Sequence, residues 1–177
     1  MPDMTISLPP ETSSPPRLQP SGWLRYFSFS VDHKVIGLQY LVCGFVFYLI
    51  GGALAGAIRT ELTSPVSDFM ARDVYNQVLT LHGTVMIFLW IVPVVNGAFG
   101  NYLIPFYVGA RDMAFPRLNA VAFWLIPPAG LMLITSYFLT GAAQSGWTAY
   151  PPLSITTPAT GQIIWILSVL LLGGSSI

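Results

Sequence analysis

The final sixty residues of this chain, 118–177, carry no charged side chain. Two further charge-free stretches run between Lys34 and Arg59 and between Asp73 and Arg111. A water-soluble domain is about one quarter charged, whereas this chain is 8% charged and 54% hydrophobic. Bare runs of this length suit hydrocarbon, and they predict an all-α protein that crosses a membrane several times. The balanced net charge gives no sign of a nucleic-acid partner. The one cysteine, Cys43, excludes an internal disulfide or a cysteine-cluster metal site.

Taken in order, residues 1–22 are rich in Pro, Ser and Thr, have no apolar periodicity, and are expected to be a disordered cytoplasmic tail. They lack the apolar core of a signal peptide. Trp23 to Lys34 mixes aromatic and charged groups, which suits the lipid headgroup level, and His33 reads as a boundary residue there. Spans are expected near 35–58, 77–103, 119–140 and 161–177, the fourth incomplete. In the first, Gly44, Gly51, Gly52, Ala53, Ala55 and Gly56 would let neighbouring helices approach closely. The loop before the second span offers Ser67 or Asp68 as a helix N-cap. Pro93 interrupts that span and Pro127 and Pro128 the third, each removing a backbone hydrogen bond. Arg17, Arg25, Lys34, Arg111 and Arg117 fall on one side and Arg59 and Arg72 on the other. This five-against-two bias puts the N-terminus and the Asp112 loop in the cytoplasm.

His82 is the histidine in apolar surroundings. Inside a spanning helix it is costly without a partner, so a functional reading is the default. The residue alone leaves three uses open: a proton relay, an interhelical hydrogen bond, or ligation of a metal or haem. Gly83 beside it leaves room for a flat, bulky group. Met86 and Trp90 continue along roughly the same helix face, where they could line a porphyrin edge or pack as ordinary apolar side chains.

Four long runs in register carry more. They are TLHGTVMIF (80–88), GAFGNYLIP (97–105), GARDMAFPRLN (109–119) and GWTAYPPL (146–153). With DHKVIGLQY (32–40) and the closing GGSSI (173–177), they strongly resemble subunit I of the haem–copper oxidases. The likeness covers residues 23–177 and is greatest to the cytochrome c oxidase branch, of a bacterial type with the cyanobacterial kind as a variant. It implies that the chain corresponds to about the first third of a twelve-helix bundle, cut within its fourth span.

The resemblance carries roles onto particular positions. His82 matches the axial ligand of the low-spin haem, whose second ring nitrogen needs an acceptor to fix it. Arg59 matches an arginine touching a polar substituent of that haem, and Tyr75 and Trp147 match residues near its propionates. Glu61 matches a carboxylate that helps bind a non-redox cation in some members, although the further ligands of that site are not clearly matched. Asp112 matches the entrance of a proton channel. Asn101 and Asn119 match polar groups just inside it, and Tyr40, Ser175 and Ser176 match groups further along. Without the resemblance, Arg59 reads as a headgroup arginine and Asp112 as a loop acid pairing with Arg111 or Arg117.

The function implied is that of a terminal oxidase in a bacterial cell membrane, with a thylakoid membrane as the cyanobacterial variant. Electrons would pass from cytochrome c through a low-spin, a-type haem to a high-spin haem and copper B, where oxygen becomes water as protons cross the bilayer. Subunits II and III are the implied partners. The second haem ligand and the copper ligands would lie beyond Ile177, so this stretch alone is expected to be inactive. Two alternatives stand beside this reading: a quinol oxidase of the same family, and a transporter or structural membrane protein in which His82 bonds between helices.

Overall fold

The computed structural model describes residues 22–66 and 69–176. All of the expected tail, 1–22, except Gly22, and the expected caps Ser67 and Asp68 lie outside them. The described residues are helical, without a strand. After a short 3-10 helix, Gly22–Phe27, the chain forms α1 (His33–Glu61), α2 (Arg72–Val108) and α3 (Pro116–Leu139). A single helical turn at Leu153–Thr156 precedes α4 (Ala159–Gly174). By length and composition α1, α2 and α3 can each cross a membrane, and α4 is a shorter apolar helix.

Local chemistry explains the ends. Asp32 caps α1, its Oδ1 accepting from Lys34 N at 2.9 Å, and its carboxylate pairs with Arg25 at 3.6 Å. The α2 helix starts later than a cap at Ser67 or Asp68 would give. It begins at Arg72 from Ala71, which makes no side-chain cap bond, and Asp73 supplies the negative charge that favours a first turn. Gly109, at φ 69°, closes α2 in the left-handed conformation that a glycine adopts without strain.

Pro93 does not break α2. The helix instead widens to π-type turns over Val85–Ile91 and Pro93–Phe99. Proline has no N–H to give to the carbonyl four residues back, and a π turn shifts bonding to residues five apart.

A glycine seam joins α1 to α2. Gly37 faces Ala98, Asn101 and Tyr102, Gly44 faces Val94 and Trp90, and Gly51 faces Met86 and Val85. The partners descend as the glycines ascend, so the helices are antiparallel. A Cβ at Gly44 would lie 2.7 Å from Val94 Cγ2, so the close approach depends on glycine there. Gly52 and Gly56 have no described atom within 4 Å of where a Cβ would stand, and take no part in the seam. Ile36, Tyr40, Phe47, Val85, Leu89, Phe123 and Leu133 form the buried centre.

Candidate functional site

Two groups of polar residues lie at opposite ends of α2. At the first, His82 stands ten residues into the helix and half-buried. Its Nδ1 lies 2.9 Å from the carbonyl oxygen of Gly51 on α1. A carbonyl only accepts, so Nδ1 is the donor, and a neutral ring then keeps its lone pair on Nε2. No described residue is bonded to Nε2. An imidazole with one nitrogen tied to a backbone carbonyl and the other free has the donor chemistry of an axial metal ligand. The seam makes this bond, because Gly51 brings the α1 backbone within reach of the α2 ring.

The space beside Gly83 is taken by Trp147, whose Cδ1 would stand 3.0 Å from a Cβ there. The flat group against this glycine is therefore the chain's own indole. Met86 and Trp90 pack on α1: Met86 against Gly51, and Trp90 against Tyr48 with ring centroids 4.9 Å apart. Tyr75 is half-buried, about two turns before His82 on the same face of α2. Arg59 is exposed in the last turn of α1, and Trp147 is partly exposed. Arg59, Tyr75, His82 and Trp147 thus share one end of the bundle. Glu61 Oε2 accepts from Met70 N at 2.9 Å, closing the loop after α1. No cluster of three or more metal-binding side chains occurs among the described residues.

A polar ladder on α2 holds this end together. Gln77 Oε1 accepts from Ala142 N at 2.9 Å, Thr80 Oγ1 from Gly146 N at 2.9 Å, and Thr84 Oγ1 from Trp165 Nε1 at 2.9 Å. The first two fix the loop that carries Trp147, and the third fixes α4. The Thr84–Trp165 bond is buried. Thr84→Val keeps the shape and removes the acceptor, and it is expected to cost about 1–3 kcal/mol because it strands the indole N–H. Adding Trp165→Phe should recover part of that loss. Denaturant titration of the purified protein in mild detergent measures both effects.

The second group lies toward the other end. Asn101 is buried, and its Nδ2 donates to Gly97 O at 2.7 Å. Its Oδ1 accepts from Asn119 Nδ2 at 2.5 Å, which ties α2 to α3. A cavity of about 520 Å³ opens beside this pair, bordered by Tyr40, Asn101, Asn119, Ser175 and Ser176, with Met113 at its edge. Ser175 and Ser176 both donate to Leu172 O, at 2.7 and 3.2 Å. Asp112 does not border the cavity. It is exposed, with Oδ1 accepting from Met113 N at 2.8 Å, one residue outside the lining. Neither Arg111 nor Arg117 forms an ion pair with it among the described residues; the pair found there is Arg25–Asp32.

Sequence reasoning missed two features of this end. His33, read as a boundary residue, is buried, and its Nδ1 lies 2.8 Å from Asn101 O. Charged neighbours in sequence concealed that burial. Asn96 also borders the cavity; an amide in a charge-free run was the available signal.

Comparison with known proteins supports the same family over the same stretch. The family model described as Cytochrome C and Quinol oxidase polypeptide I matches residues 35–177. Cytochrome c oxidase subunit 1 of Thermostichus vulcanus is 63% identical over 155 residues, 88% of this chain and 28% of the relative. The subunit of the same name from Synechocystis sp. is 59% identical over 174 residues, 98% of this chain and 31% of the relative. That of Corynebacterium glutamicum is 43% identical over 166 residues. The chain spans less than one third of the length of these curated relatives. With the family model covering most of the chain, this multi-pass membrane protein belongs to the cytochrome c and quinol oxidase polypeptide I family.

Proposed function

We propose that the chain forms the N-terminal part of the catalytic subunit of a respiratory oxidase that passes electrons from cytochrome c to oxygen, yields water and moves protons across the membrane. The relatives bear the name cytochrome c oxidase subunit 1, and the family implies haem and copper. The observation that carries the reading for this chain is the His82 ring, held by Gly51 O with Nε2 free. A haem iron bound at Nε2 would supply reversible one-electron transfer. The low-spin, a-type assignment belongs to this proposal.

The remaining work falls to the chain's own groups. Gly51 O holds the tautomer and raises the basicity of Nε2. Arg59, a permanent cation, would favour electron-rich or anionic groups at the haem edge. Tyr75 O–H and Trp147 N–H can donate to carboxylates. Asp112 would collect protons on the cytoplasmic side and release them to water in the cavity beside Asn101 and Asn119. Subunits II and III would complete the assembly, in a bacterial cell membrane or a thylakoid.

Oxygen uptake by the assembled oxidase tests the reading. Reduced cytochrome c is expected to sustain it and quinol is not. Faster uptake with quinol would replace the donor while keeping the family, and no uptake with either would remove the oxidase reading.

A further inference from the structure

Asn96 differs from the other amides at the cavity. Asn101 and Asn119 spend much of their hydrogen-bonding capacity on each other and on Gly97 O. Asn96 borders the same cavity, and no described residue bonds its carboxamide. Two donors and two acceptor positions are therefore open.

Its placement depends on the widened helix. In a regular α-helix, residues 96 and 101 would be turned about 140° apart. The π stretch Pro93–Phe99 holds Asn96 and ends two residues before Asn101, and a π turn brings residues five apart round toward each other; both amides border the cavity, Asn101 buried and Asn96 exposed. Asn96 lies roughly 18 Å of helix rise from the end of α2 at Val108, well inside an apolar run. A carboxamide at that depth is stable where it meets protein or water and costly where it meets lipid.

We infer that Asn96 is a water-binding station of the proton route, deeper than Asn101, handing protons on through water that its amide orients by donating and accepting at once. The proton moves between water molecules and the amide keeps its own protons, so no oxidant or other reactant is needed. The inference rests on the proposed proton route from Asp112.

Proton uptake by the assembled oxidase in phospholipid vesicles tests it, followed with a pH indicator after flash-started reaction with oxygen. Asn96→Leu should slow uptake by roughly 10-fold, the size expected for losing a hydrogen bond to water, with the haem absorption bands unchanged, and Asn96→Ser should recover much of the rate. If Asp112→Asn is slow while Asn96→Leu takes up protons at the wild-type rate, Asn96 is no station and the proton route stands. If Asp112→Asn is itself at the wild-type rate, the route falls and the inference with it. Should Asn96→Leu fail to assemble, Asn96→Ala and Asn96→Ser decide. A slow alanine variant beside a faster serine variant supports the station, and equal rates overturn it.

Discussion

Replacing His82 by alanine is expected to leave the assembled oxidase without the absorption bands of its low-spin haem and to lower oxygen uptake more than about 100-fold. The substitution removes the one imidazole at this end of the bundle that is both fixed and free to ligate. It also leaves Gly51 O without its donor, a loss α1 can survive because the seam at Gly37 and Gly44 remains. Assembly should therefore persist while the spectrum changes, which separates a ligand from a structural histidine. If His82 only bridged α1 and α2, the reverse would hold: normal bands in whatever protein assembles, with lower stability. Gly51→Leu supplies the contrast. Its side chain would press on Met86 and Val85 and shift the carbonyl, while Nε2 survives. It is expected to keep the haem with shifted bands and to lose about 10–100-fold in haem affinity or activity. Optical spectra and oxygen uptake on the same preparations read both.

The second large effect is expected from Asp112→Asn. An amide of nearly the same shape can accept from Met113 N as the carboxylate does, so the loop should hold its form. It can neither take up nor release a proton. Turnover of the assembled oxidase in vesicles is expected to fall on the order of 10²-fold, with haem bands unchanged and with Asp112→Glu close to wild type. Asp112 is exposed, so it can exchange protons with bulk water, and it stands next in sequence to Met113 of the cavity lining. Wild-type proton uptake and turnover in Asp112→Asn would show that the acid is a loop residue only.

The spanning helices were the most legible part of the chain, because charge-free runs and hydrocarbon impose each other. The contacts that make a site were less so. Gly51 was readable as a small residue suited to helix packing, but its role at His82 passes through a backbone carbonyl, and every residue has one. Gly52 and Gly56 look identical to Gly51 in sequence, yet only Gly51 faces α2. Helix rotation decides this, and neighbours fix the rotation. Gly83 invited a flat ligand and received Trp147, from a loop far along the chain. Asn96 belongs to no role the sequence assigned, and a regular α-helix would turn it away from Asn101. Only the π turns beyond Pro93 undo that.

The length of α2 bears on electrical work. Its 37 residues rise roughly 54 Å, against a hydrocarbon core of about 30 Å. Set upright and centred, the helix would put His82, about 15 Å from its first residue, only a few ångströms inside the insulating layer. An electron reaching that depth from the near side would cross little of the membrane voltage. A proton entering past Asp112 and travelling inward as far as Asn96, about 18 Å from the other end, would cross roughly 6 Å of the layer, about twice as much. Most of the charge displacement associated with this part of the subunit would then belong to the proton, and a time-resolved voltage measurement on oriented vesicles should find its slow phase, not its fast one, sensitive to Asp112.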